Sequence, residues 1–139
     1  MEITHKRTAF LANARSFLEV AFGVSSFVYL LYDFVVLRLS HNIGATYFLT
    51  NVDFFVMRAV LLGLMVYSGV KSSSKNPSAL FGLNVGIGVS CIYIGLMNIP
   101  DYYLAKGDWK DLVAAFLFLP LGLVILFITL YLKDCPRSK

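Results

Sequence analysis

The sequence has 139 residues, of which 58% are apolar and 14% are charged, and its net charge is +4. Soluble domains carry about 25% charged residues, and a single domain of this size could not hide so much apolar surface from water. Composition therefore excludes an ordinary soluble enzyme, a disordered chain, a disulfide scaffold and a nucleic-acid-binding protein. It predicts an integral membrane protein with a single domain over residues 1–139.

Four apolar runs are long enough to cross a bilayer as helices, which takes about 20 residues each. They cover residues 16–37, 54–70, 79–99 and 112–132. Because the runs are continuous and the connections between them are short, we expect sequential antiparallel helices rather than strands. The predicted fold class is all-α, an antiparallel bundle of four transmembrane helices. Pro100 is expected to end the third helix, and Pro120 to kink the fourth.

The distribution of Lys and Arg predicts how the chain crosses the membrane. Eight basic residues lie on the side of the two termini and the middle connection, three lie on the other side, and Arg58 lies inside a run. Because cytoplasmic segments carry an excess of basic residues, both termini are predicted to be cytoplasmic. The eight are Lys6, Arg7, Arg15, Lys71, Lys75, Lys133, Arg137 and Lys139, and the three are Arg38, Lys106 and Lys110.

A polar stripe follows the first run, where Glu19, Ser26 and Asp33 are spaced by seven residues. Seven residues return within about 20° of the same helix face, so the three side chains share one side. A charge at a helix centre costs about 2.5–3.5 kcal/mol on insertion scales, so the stripe has to face protein or water. One interpretation is a proton or cation path. The favoured one is that Glu19 reaches the cytoplasmic headgroups, while Asp33 reaches the outer headgroups or a partner.

Arg58 is a cation inside the second run, about 10 Å from its outer end. Antiparallel neighbours bring Asp33 to a similar depth, which predicts an Asp33–Arg58 pair. The favoured role of the pair is to fix the register of the first hairpin; a gate or an anionic headgroup site is the alternative, and Arg58 reaching the interface alone is a third. Asn84, in the third run, lies at a depth similar to Glu19, so a hydrogen bond between those two is a further hypothesis.

Small residues recur at every fourth position of the third run, at Gly82, Gly86 and Ser90. Such spacing lets helix backbones approach closely in lipid. The favoured interpretation is that this face makes the third helix central within one bundle. The alternative is a dimer through the same face. Gly88 and Gly95 lie on another side of the helix.

The two halves of the chain show a weak internal similarity. Residues 23–29, Gly-Val-Ser-Ser-Phe-Val-Tyr, resemble residues 88–93, Gly-Val-Ser-Cys-Ile-Tyr, with one residue dropped. Residues 61–64 resemble 119–123 loosely. A duplicated hairpin would produce this similarity, and so would chance in an apolar sequence.

The two cysteines, Cys91 and Cys135, form neither a disulfide framework nor a metal motif. Cys135 lies in the tail three residues past the last apolar run, beside basic residues. There it is either an incidental thiol, the favoured interpretation, or a site of reversible palmitoylation. His5 and His41 fall on opposite sides of the membrane, so no metal site or other cofactor is predicted.

Residues 15–23, Arg-Ser-Phe-Leu-Glu-Val-Ala-Phe-Gly, resemble the first helix of MARVEL-type tetraspan proteins. The resemblance covers less than a fifth of the chain, and no function is taken from it.

With no catalytic motif in the sequence, the leading hypothesis is a protein without intrinsic catalysis. It would serve as an assembly, sorting or accessory subunit for a membrane partner, a second copy or a lipid environment. The alternatives are an oligomeric transporter or channel for a proton, ion or small solute, and an accessory subunit of a membrane-bound enzyme.

Overall fold

A computed structural model describes residues 2–32, 35, 44–72, 80–104 and 109–133, with side chains except at 2–5, 44–55, 101, 102, 110 and 111. It contains four helices: α1 (Glu2–Tyr32), α2 (Gly44–Lys71), α3 (Phe81–Leu104) and α4 (Trp109–Lys133). Each of the four predicted runs overlaps one of these helices, in the same order, which confirms the all-α class for the described chain.

Three segments are long and apolar enough to cross a membrane: Lys6–Tyr32, Phe81–Pro100 and Leu112–Lys133. All three lie within the part of the chain that the structure describes. The predicted run 54–70 lies within α2, and its crossing of the membrane stays a prediction.

The predicted helix boundaries were wrong at several ends. α1 begins at Glu2, well before the run that starts at residue 16, because helix formation continues through a mixed polar and apolar segment that hydropathy alone does not mark. α3 continues through Pro100 to Leu104, so the expectation that Pro100 ends it was wrong. Pro100 is exposed, and helices that lie in membranes tolerate proline better than those in water. Pro120 lies inside α4, and the kink there stays a prediction.

The chain divides into two compact units. The first-hairpin unit is Ser16–Lys71, and the second-hairpin unit is Met1–Arg15 with Ser72–Lys139. In the first, a Cβ added to Gly23 would lie 3.2 Å from the carbonyl oxygen of Leu62, and one added to Gly69 would lie 2.8 Å from that of Ser16. Higher numbers on α1 thus pair with lower numbers on α2, which makes this hairpin antiparallel.

The second hairpin is also antiparallel and is held by a different set of glycines from the predicted one. A Cβ added to Gly88 would lie 3.2 Å from the carbonyl oxygen of Gly122, and one added to Gly95 would lie 2.8 Å from the backbone nitrogen of Leu119. Gly82 and Gly86 are exposed, and an added Cβ at either would meet nothing within 4 Å. The contact with α4 instead uses Gly88 and Gly95, which are spaced by seven residues and share the buried face. The packing of Gly82 and Gly86 within a bundle of four helices stays a prediction. Ser90 is half-buried.

The N-terminal part of α1 packs on the C-terminal part of α4 within the second-hairpin unit. Ala12 meets Ile128 and Leu132 in a small buried cluster, and Leu11 lies against it. This contact places the segment before Arg15 beside the last two turns of α4.

Candidate functional site: a buried arginine centre

Several polar side chains are buried in the described chain, and many large apolar side chains are exposed. Phe10 is 70% exposed on α1, Met57 71% on α2, and Phe127 71% on α4. Proteins in water show the reverse tendency for charged groups, which are almost never fully buried unless paired. The fully buried polar residues, each at most 1% exposed, are Arg15, Glu19, Ser68, Asn84 and Thr129.

Arg15 is the largest of these buried polar residues and joins three segments of the second-hairpin unit. Its Nη1 donates a hydrogen bond to Oγ1 of Thr129 on α4 at 3.2 Å, and its Nη2 donates to Oγ of Ser72 at 3.0 Å. Ser72 follows directly after the end of α2 and is also buried. Because arginine stays protonated in proteins, this is a permanent positive charge placed away from water.

The two hydroxyl groups suit this position because a hydroxyl both donates and accepts. Thr129 donates its own proton to the carbonyl oxygen of Ile125 at 2.7 Å and accepts from Arg15 with a lone pair. The threonine is thus fixed by its own helix and directed at the guanidinium. Through these two hydrogen bonds Arg15 connects the N-terminal part of α1 with Ser72 and with α4.

Glu19 lies in the first-hairpin unit and is fully buried. A Cβ added to Gly69 would lie 3.2 Å from the Glu19 Cβ, so α2 passes closely over the base of this side chain. Ser68, next to Gly69, is buried as well. The Glu19 carboxylate is therefore enclosed by protein, and the interpretation that it reaches the cytoplasmic headgroups stays a prediction.

The remaining predicted polar residues are dispersed. Ser26 and Arg58 are half-buried, and Asn84 is fully buried in the first turn of α3, where its backbone nitrogen donates to the Leu80 carbonyl at 2.9 Å. Asp33 lies outside the described residues, so its pair with Arg58 stays a prediction. The hydrogen bond between Glu19 and Asn84 likewise stays a prediction.

Arg15 was not among the predicted site residues, because its place near the N-terminus is typical of an ordinary cytoplasmic charge. The signal that could have found it is local. Residues 9–14, Ala-Phe-Leu-Ala-Asn-Ala, are largely apolar and precede Arg15, and an apolar run follows it. The arginine is therefore enclosed by apolar sequence on both sides rather than placed at the end of a run.

The described part of the chain contains one cysteine, Cys91, and no candidate metal site. Cys91 is a buried free thiol, and its Cβ lies 2.9 Å from the position of a Cβ added to Gly122. Cys135 lies outside the described residues. Among the residues that the structure describes, no three His, Cys, Asp or Glu side chains are grouped to hold a metal ion.

The fold and this centre define a class, an all-helical protein in which three helices are apolar and long enough to cross a membrane. Comparison with known proteins adds no relative: no family model, no curated protein and no solved structure matches the chain. The resemblance of residues 15–23 to MARVEL-type tetraspan proteins therefore gains no support.

Proposed function

We propose that this chain is a multi-pass membrane protein without catalysis of its own, with both termini in the cytoplasm. It acts as an assembly, sorting or accessory subunit for a membrane partner or a lipid environment, and its four helices form one bundle. The distribution of buried polar and exposed apolar side chains supports insertion in a bilayer, and the eight-to-three distribution of basic residues supports the orientation.

The observation that carries the assembly role is the outer face of α3. Gly82 and Gly86 are exposed within the candidate span Phe81–Pro100, with open space where a Cβ would be. The exposed face continues along the helix to Val89 and Tyr93. Glycines four residues apart let a second helix contact the backbone directly. Since the α3–α4 contact uses the opposite glycines, this face suits a helix of another chain.

A photo-crosslinking residue at Val89 tests the proposal in the native membrane. We expect adducts to a protein at Val89, whereas the same probe at Phe127 on α4, which is also exposed, gives adducts to lipid. Gly86→Leu should remove the protein adduct. Gly63→Leu is the matched control because Gly63 is also exposed with nothing within 4 Å of an added Cβ. An adduct that persists in Gly86→Leu, or lipid adducts alone at Val89, would contradict the assembly role.

A second candidate function is proton or ion transport by an oligomer, using Glu19, Asp33 and Arg58. Burial of Glu19 within the candidate span Lys6–Tyr32 favours it, because an ionisable group inside a membrane segment often marks an ion path. Flux into liposomes that is abolished by Glu19→Gln would support transport. Equal leakage from protein-containing and empty liposomes would exclude it.

A further inference from the structure

An open groove of about 420 Å³ lies in the second-hairpin unit, between the N-terminal part of α1 and the end of α4. It is lined by Lys6, Arg7, Phe10 and Leu11 of α1 and by Tyr131 of α4. Its volume is in the range of small-molecule sites. The described residues that line it carry two positive charges and no negative one, beside an apolar surface made by two aromatic rings and a leucine.

The groove lies at the ends of two candidate spans. One span begins at Lys6 and another ends at Lys133, so Lys6, Arg7 and Tyr131 all fall within two residues of a span end. In a bilayer these positions correspond to the headgroup layer, where basic and tyrosine side chains concentrate. Phe10 and Leu11 lie one turn further along α1, toward the apolar part of its span.

We infer that this groove binds a phospholipid with an anionic headgroup, with the phosphate on Lys6 and Arg7 and an acyl chain on Phe10, Leu11 and the Tyr131 ring. Guanidinium groups bind phosphate oxygens in a bidentate manner, and ammonium groups add a compact charge. The two positive charges therefore favour an anionic headgroup over a neutral one. The apolar half of the groove favours a lipid over a free anion. The inference depends on the proposed insertion in a membrane, with this end in the cytoplasmic leaflet.

Lys133 supplies a further positive charge at this end of the unit. Its Nζ lies 5.6 Å from the centre of the Phe81 ring, which is a cation–π distance. Lys133 therefore increases the positive potential of this end without lining the groove. It provides a control that separates a shaped site from a general field of basic residues.

The test uses the full chain in detergent and measures bound lipid by native mass spectrometry with phosphatidylglycerol or phosphatidylcholine added. We expect phosphatidylglycerol to bind about tenfold more tightly. The double change Lys6→Gln with Arg7→Gln should weaken its binding about tenfold or more, since each basic residue near a membrane surface contributes to anionic lipid binding. The matched control, Lys71→Gln with Lys133→Gln, removes the same charge outside the groove and should weaken binding less than about threefold.

A second variant tests the apolar half of the groove. Phe10→Ser keeps both charges and should still weaken phosphatidylglycerol binding. Inorganic phosphate at millimolar concentration should not compete; full competition would show a site for free anions and overturn the lipid assignment. Equal binding of the two lipids, or equal loss in the matched control, would also overturn it. Reconstitution separates the two proposals: a chain that inserts in vesicles but shows no lipid preference contradicts only the groove, whereas a chain that fails to insert contradicts the membrane function.

Discussion

In the first hairpin, a Cβ added to Gly23 or Gly69 would meet a valine methyl group first, at 2.9 Å from Val66 Cγ2 and 2.6 Å from Val20 Cγ2. In the second hairpin, one added to Gly122 would lie 2.7 Å from the Gly88 oxygen and 2.8 Å from the Ile92 nitrogen. The first contact is thus set partly by valine methyl groups, which a substitution can remove. The second is set mainly by backbone atoms of α3, with the Cβ of Cys91 at 2.9 Å. Both hairpins use glycine at a close helix contact, but they should differ in how well they tolerate a change from glycine to alanine.

The weak similarity between the two halves agrees with only part of this comparison. Gly23 and Gly88 begin the two similar segments, and each lies at the close contact of its own hairpin. Gly63 and Gly122, which the looser similarity would pair, differ: Gly63 is exposed with open space around it, whereas Gly122 is buried between backbone atoms. α2 in the first hairpin and α4 in the second therefore make their close contacts through residues that do not correspond in the two halves.

The largest effect is expected at Gly122. Gly122→Ala should lower the free energy of unfolding by about 3 kcal/mol, at the upper end for overpacking. The obstructing atoms are two backbone atoms of α3 and the Cβ of Cys91, and no change of rotamer would move them. Unfolding in mixed detergent micelles measures it. Gly86→Ala is the matched control: the same methyl group enters open space on α3, and we expect no loss. Equal losses at the two sites would remove the distinction between the buried and the outer face of α3.

The sequence predicted the helices better than their contacts. Hydropathy finds runs such as 112–132 because an apolar helix has to be continuous to cross a bilayer. It does not mark the start of α1 at Glu2, since a helix extends into polar sequence without any change that hydropathy detects. Spacing by four selected Gly82 and Gly86, whereas the buried face uses Gly88 and Gly95. Both spacings are compatible with a helix face, so only the position of the neighbouring helix decides between them.

The arginine centre could not be predicted from the sequence either, for a different reason. Counting basic residues assigns Arg15 to the cytoplasmic side without asking which way its side chain points. Its acceptors, Ser72 and Thr129, are 57 and 114 residues away along the chain. Hydroxyl side chains are common in apolar helices, so neither could be identified as a partner before the fold was known.

The second prediction concerns this centre. Thr129→Val should lower the free energy of unfolding by about 2 kcal/mol, since hydrogen bonds to charged groups contribute about 1.5–3 kcal/mol. In an Arg15→Met background the same change should cost much less, because the buried charge that needs the acceptor is gone. Unfolding of the two single variants and the double variant gives the coupling between the groups. A Thr129→Val loss that is the same in both backgrounds would show that the hydrogen bond contributes no stability.

The smallest effect is expected in the first hairpin, where Gly23→Ala should lower the free energy of unfolding by about 1 kcal/mol. Its new methyl group would meet Val66 Cγ2, and valine in a helix has one strongly preferred rotamer, so the side chain yields only by a small backbone shift. The gain in helix propensity from glycine to alanine offsets part of the cost.

Val66→Ala removes the obstructing methyl group, so in that background Gly23→Ala should be close to neutral. Gly122→Ala has no such rescue, because backbone atoms of Gly88 and Ile92 lie closest to the new methyl group. Measuring the Gly23–Val66 cycle beside Gly122→Ala decides between the two kinds of contact. If Val66→Ala does not reduce the loss at Gly23, the obstruction is backbone in both hairpins. In the first hairpin it would then be the Leu62 carbonyl oxygen, at 3.2 Å from the added Cβ.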